Sequence, residues 1–377
     1  MNYFSPRTVF GSTATLLILL FLMTPKELEA QLGDFKSFIQ GGTDDAEMLA
    51  TEYLRPFGSG FGANLNTGWN NTAPVHGVLG FSATVKTGMA LVPDKDHHFD
   101  LHELDLNNMQ VSSPFADPET LTPTLSGADQ PGPTMEAFVE YEFDGEEHKQ
   151  VISSFDMPPG VGHRVVRTPI IQGNVGLIRD TEISLRYMPP LFEYEDFDYQ
   201  VFGGGIKHEL NQYFPAGGLW PVTIALQGGF TRILASFDDF SLTPDDYRDV
   251  DPDHDFAASE WEDQQLSLTT DAWNVNLLVG RNFPLISVFG GVGIEGSTIQ
   301  ILTEGNYPVL EPAPTADDRE RFTVQSVEEP VDFSFDGRNR LRGLLGVRLR
   351  LGFIYFTAEY TIADYNVING GIGVGLR

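Results

Sequence analysis

The sequence predicts an all-β protein: a transmembrane antiparallel β-barrel of about fourteen strands with a short N-terminal helical plug. Three observations predict it. Apolar and polar residues alternate with a period of two along segments of about ten residues. The connections between these segments alternate short and long. An export signal heads the chain, yet no later stretch offers eighteen apolar residues to cross a bilayer as a helix.

Composition narrows the function classes. The 377 residues carry 23 Lys and Arg against 53 Asp and Glu, a net charge of −30. Nucleic acid, which requires a basic surface, is excluded as a partner. With no cysteine, the chain has no disulfide, thiolate zinc site or cysteine nucleophile.

Residues 1–30 read as a signal peptide. Arg7 precedes the apolar run Ala14–Met23, and Leu28-Glu29-Ala30 supplies a cleavage site. Residues 31–57 read as a helical plug segment. Leu32, Phe35, Phe38 and Ile39 fit a 3.6-residue period, and Gly41-Gly42 interrupts it. A second stripe follows in Ala46, Leu49, Ala50, Tyr53 and Leu54, before Arg55-Pro56.

Residues 58–377 read as the barrel. The first run, 58–71, alternates Phe61, Ala63, Leu65, Thr67 and Trp69 with Gly62, Asn64, Asn66, Gly68 and Asn70. The next places Val75, Gly77, Leu79, Phe81, Ala83, Val85, Thr87, Met89 and Leu91 on one face, with His76, Gly80, Ser82, Thr84, Lys86 and Gly88 on the other and Val78 as an exception. Further runs fall near 97–106, 134–143, 147–155, 168–178, 181–189, 199–212, 219–236, 267–281 and 285–301. Three strands close the chain over 341–377, with Gly352 between the first two. Glu136, Glu140 and Glu142 crowd one face of the 134–155 hairpin, so twelve strands remain if it leaves the wall. Turns predicted to be periplasmic include Gly352, 282–284, 213–218, 178–180, 144–145 and 93–96. Long connections, most of them acidic, are predicted on the outer side.

The runs Leu49–Phe57 and Gly60–Ala73 resemble an uncharacterised group of Bacteroidetes-type outer-membrane proteins. In that group a short helical lead precedes a strand of the form GFG…N.GW.NTA. The resemblance implies an outer-membrane location after signal cleavage, and no assigned activity. A looser analogy is to the long-chain fatty-acid transporter class, which also plugs its barrel from the N-terminal side. On that analogy the chain is a channel or transporter for a small, hydrophobic molecule. The alternative is a structural or adhesion-type surface barrel with acidic loops ordered by divalent cations; an enzyme is not expected. Expected partners are outer-membrane lipid with lipopolysaccharide, and the barrel-assembly machinery. The end Gly375-Leu376-Arg377 departs from the aromatic terminus usual in such barrels.

Chemical motifs are few. Gly291–Gly296 matches G-x-G-x-x-G but lies within an alternating strand, so no nucleotide cofactor is expected. His98, Asp100 and His102 share a strand face. Asp249, Asp251, Asp253, Asp255 and Glu260 occupy positions 1, 3, 5, 7 and 12 of a calcium-loop template, with His254 where the template has glycine. Calcium is therefore a candidate ion for this loop, as zinc is for the His98, Asp100 and His102 face. Arg342, Arg348 and Arg350 share a predicted lumen face, with Glu295 or Glu359 as candidate partners.

Overall fold

The computed structural model describes residues 43–112, 120–143, 146–188, 197–237, 242–243, 257, 261, 264–312, 322–329 and 331–376. Ten strands form the wall. They are β1 (Phe81–Leu91), β2 (Val165–Leu177), β3 (Thr181–Met188), β4 (Phe197–Glu209), β5 (Thr223–Phe237), β6 (Gln265–Asn282), β7 (Ile286–Glu304), β8 (Leu341–Leu351), β9 (Ile354–Ile362) and β10 (Asn366–Leu376). Each pairs antiparallel with its chain neighbours, and β1 pairs with β10 from Phe81↔Leu376 to Leu91↔Asn366, which closes the ring. Asp332–Asp336 adds one strand outside the ring, on the Thr298–Leu302 stretch of β7.

The wall is inverted relative to a water-soluble protein. Leu185, Ile206, Val292 and Leu345 point outward and are 64, 54, 65 and 68% exposed, while Thr84, Lys86, Gln172, Arg186 and Asn276 are buried inside. An apolar exterior around a polar interior is what lipid selects in a closed barrel, because closure leaves no strand edge unpaired. No described helix is long and apolar enough to cross a membrane.

The barrel has ten strands, not fourteen or twelve. Four predicted runs leave the wall. The run 58–71 falls largely in a single helix, α1 (Thr43–Asn66), which also absorbs the second predicted helical stripe. Residues 97–106 contain only the short strand His98–Asp100 and the turn Leu101–Glu103. The other two runs pair with each other and with Met109–Val111 as a small separate sheet. Their alternation is real but has another cause. Met135 and Ala137 are buried against an apolar core outside the wall, while Thr134 and Glu136 on the other face are partly exposed. A period of two reports one buried face and does not say whether lipid or water covers the other.

The two ends of the barrel differ. Strands are joined at one end by residues 178–180, 210–222, 283–285 and 352–353. The opposite end carries 92–164, 238–264 and 305–340, with the short turn 363–365. The predicted turns 93–96 and 144–145 therefore belong to connections at this second end. There the connections build a cap whose core includes Leu101, Met109, Leu125, Met135, Met157 and Tyr307.

The plugged lumen as candidate functional site

Helix α1 has 24 residues and so spans about 36 Å at 1.5 Å per residue. Its first half lies in the cap. Ala46, Leu49, Ala50, Tyr53 and Leu54 join the cap core. The Asp45 carboxylate ties this end down by accepting the backbone N–H of Asn107 (2.8 Å) and of Asn108 (2.7 Å). Tyr53 Oη donates to the Pro159 carbonyl at 2.7 Å. The second half enters the barrel, where small residues are required. A Cβ on Gly60 would come within 2.9 Å of Val166 Cγ2, and one on Gly62 would overlap Ser297. Each glycine costs about 1 kcal/mol of helix propensity relative to alanine, so wall contacts must offset it.

Some of those contacts are apolar, as Ala63 on Ala90 and Val166 and Leu65 on Val201 and Ile233, but at the helix end they are polar and directional. The last carbonyls of a helix have no partner within it and carry its negative dipole end. Here wall cations take them. Arg186 donates from Nη1 to the Leu65 carbonyl and from Nη2 to the Thr67 carbonyl, each at 2.6 Å, and its guanidinium stacks 3.6 Å from the Trp69 ring. Arg342 Nη1 donates to the Asn66 carbonyl at 2.7 Å and pairs with Glu295 at 2.6 Å. Lys86 Nζ donates to the Gly68 carbonyl, and Glu359 accepts the Gly68 N–H at 2.9 Å.

Beyond the helix the chain continues through the lumen. Lys207 Nζ donates to the Thr72 carbonyl at 3.0 Å and pairs with Glu182 at 3.0 Å. Glu209 accepts the Val75 N–H at 2.7 Å, and Glu182 accepts that of His76 at 3.0 Å. The segment thus emerges at the short-turn end, then folds back into β1. It traverses the barrel from mouth to mouth, with its N-terminal end in the cap. The described part of the segment read in the sequence as a plug, from Thr43 to Phe57, therefore starts at the end opposite the short turns.

The lumen is filled from both sides. Trp69 lies against the wall glycines Gly205 and Gly229, where a Cβ would come within 2.7 and 2.5 Å of its ring. Thr84 Oγ1 and Tyr355 Oη are hydrogen-bonded at 2.5 Å, and both face Asn71 Nδ2 at 3.3 Å. A barrel of eight strands is just wide enough for side chains, so ten strands suit a glycine-rich helix and leave little else.

Of the arginines singled out in the sequence, Arg342 and Arg348 are buried on the lumen face, and Arg342 approaches both candidate partners, with Glu359 at 3.9 Å. Arg348 donates to Ser287 Oγ at 3.3 Å. Arg350 stands at the short-turn rim, where Nε donates to the Gly352 carbonyl at 2.9 Å. Sequence reasoning did not single out Lys86, Arg186, Lys207 or Glu182 as lumen charges. All four sit at the inward phase of their strands, which is the signal that locates them. The calcium-template residues Asp249, Asp251, Asp253, Asp255 and Glu260 lie outside the described residues. Asp100 acts locally instead of with its neighbouring histidines. A side-chain hydrogen bond from Thr120 and the His102 N–H hold its carboxyl below the usual range. Among the described residues, no group of three His, Asp or Glu side chains is placed to hold a metal. Gly291 and Gly293 are wall positions of β7.

The chain matches, over residues 11–376, the model of a family described as a family of unknown function (DUF6588), and it belongs to that family. No curated protein matches. Among solved structures, the translocator domain of the autotransporter NalP from Neisseria meningitidis is similar at 13% identity, covering 80% of this chain and 90% of that one, with a TM-score of 0.28. A loop-deletion mutant of OmpT from Vibrio cholerae aligns at 7% identity over 78% of this chain and 98% of its own, with a TM-score of 0.16. Both scores are below 0.5, so the barrel stands on this chain's own strand pairing.

Proposed function

We propose that this member of the DUF6588 family is an outer-membrane barrel held shut by its own N-terminal segment, with its working surface in the folded cap. The inverted wall supports the membrane setting. One observation carries the closed state: Arg186 bonds the plug carbonyls of Leu65 and Thr67 while stacking on Trp69, in mid-lumen. On this reading the barrel anchors a structural or adhesive surface element. Its surroundings are outer-membrane lipid with lipopolysaccharide, and barrel-assembly machinery inserts it. The cap faces outward, because bacterial barrels keep their short turns in the periplasm.

A second reading is a gated channel or transporter for a small molecule. The polar character of the plug contacts favours it. Water can replace hydrogen bonds to Arg186, Arg342 and Lys207 as the plug withdraws, at far lower cost than exposing an apolar interface. Planar-bilayer recording on the refolded full chain separates the two. The anchor reading expects no unitary conductance across the accessible voltage range. Discrete openings, lost when the plug is cross-linked to the wall, would transfer the assignment to the gated conduit.

A further inference from the structure

At the cap end, beside the plug, the structure holds an open cleft of about 430 Å³. Four cations line it: Arg55 from α1, Lys95 from the β1 connection, and Arg338 and Arg340 from the segment entering β8. Three carboxylates, Asp96, Asp336 and Asp364, line it as well. Its lining thus gathers four cations against three carboxylates, with Glu52 pairing Arg55 beside it, in a chain whose net charge is −30.

The cations are only partly spent on those carboxylates. Arg338 reaches Asp96 through one nitrogen at 3.3 Å, and Arg340 reaches Asp336 through one at 3.2 Å. Asp96 is also engaged by Tyr365, whose Oη donates to it at 2.8 Å. Arg55 pairs with Glu52 on its own helix at 3.0 Å. Lys95 is exposed and has no carboxylate partner among the described residues. A guanidinium has five N–H donors in a planar fork, so single-point pairs leave donors for a further acceptor. Two such forks and an ammonium on one concave surface match an oxyanion with several equivalent oxygens.

We infer that this cleft is a binding site for a phosphate group. Phosphate fits better than a single carboxylate, because donors converge from three separate chain segments and a tetrahedral oxyanion can meet all three. The group could be presented by a free phosphorylated solute or by a phosphorylated glycolipid of the surrounding leaflet. The chemistry at the cleft is the same. The inference does not depend on whether the lumen ever opens.

The test is isothermal titration of inorganic pyrophosphate into the refolded full chain in zwitterionic detergent, at pH 7 and low salt. Saturable one-to-one binding is expected. It should weaken at least tenfold in Arg338→Gln/Arg340→Gln and be unchanged in Lys149→Gln, on the distant cap hairpin. Heat-modifiable gel mobility verifies folding of each variant. Should the double variant not fold, Lys95→Gln, which breaks no ion pair, serves in its place with a smaller but measurable loss. Absence of binding, or equal binding by the double variant and the full chain, overturns the site. Native mass spectrometry then separates the sources. Retention of phosphorylated but not dephosphorylated lipid A identifies the glycolipid, and pyrophosphate binding without lipid retention identifies a free solute.

Discussion

Helix α1 crosses two interiors that are held together by opposite means. In the cap, its Ala46, Leu49, Ala50, Tyr53 and Leu54 are covered by apolar side chains from connections far apart in sequence. In the lumen, Gly60 packs on Val166 and Ala90, Gly62 lies against Ser297, Asn64 and Asn66 donate to the wall carbonyls of Val166 and Gly296, and wall cations hold the helix end. Burial in the cap is non-directional and tolerates any apolar shape that fits. Attachment in the lumen depends on each donor meeting its acceptor, since an unpaired buried charge is far costlier than a lost methyl contact. The cap fixes the plug in place, and the lumen fixes its register.

The same change made in both regions should separate these mechanisms. Arg186→Met keeps most of the side-chain volume but leaves the Leu65 and Thr67 carbonyls without their cation. Its expected cost is about 1–3 kcal/mol for each carbonyl left unsatisfied. Leu49→Met, fully buried in the cap, should cost less than about 1.5 kcal/mol. Urea titration in detergent, read by gel mobility, measures both. Equal costs would erase the distinction between the two interiors.

The wall offers a third surface for comparison. Val85 on β1 points outward, so Val85→Arg should destabilise by about 2–4 kcal/mol near mid-membrane. Thr84, one residue away, points into a filled lumen, and Thr84→Arg should also be damaging because Asn71 and Tyr355 occupy the space. An empty or watery lumen would tolerate Thr84→Arg, and that result would reopen the channel reading.

Overpacking gives a smaller effect. Gly229→Ala brings a methyl within 2.5 Å of the Trp69 ring and should cost about 1–3 kcal/mol. Gly218→Ala, in the short-turn excursion, meets nothing within 4 Å and should be near neutral. Both are read by the same urea titration.

The smallest effect is at the cap mouth. Burial, and then the hydrogen bond to Asp96, raise the Tyr365 phenol above its ordinary value near 10. A raised value means the folded state holds the proton more tightly. The associated stability is therefore complete below about pH 10 and is lost as pH rises toward the folded value. Tyr365→Phe should remove that alkaline loss, as measured by urea midpoints between pH 9 and 11. An unchanged alkaline slope would assign it elsewhere.

Much of the wall was legible because lipid outside and polar groups inside impose a strict period of two, as in Phe81–Leu91 and Leu341–Leu351. The plug's second half was not. Phe61, Ala63 and Leu65 alternate with Gly62, Asn64 and Asn66, a pattern that suits a strand as well as a helix squeezed into a narrow barrel. Only the wall's demand for small residues chooses between them, and that demand is set by strands far away in sequence. Arg342 and Arg348 were legible singly, whereas Arg186 was not singled out. The task that Arg342 shares with Arg186, holding plug carbonyls, required knowing that a helix ends between them.

The most direct test of the central claim is a disulfide trap between plug and wall. The chain has no cysteine, so an introduced pair reports without background. A Cβ on Gly60 would lie 3.6 Å from Ala90 Cβ on β1, within disulfide reach. Gly60→Cys/Ala90→Cys, with Val166→Ala to make room, should cross-link on oxidation of the folded, membrane-inserted protein, and should do so near completion. A folded protein that fails to cross-link, and whose two thiols react with a membrane-impermeant maleimide, would contradict a helix resident in the lumen.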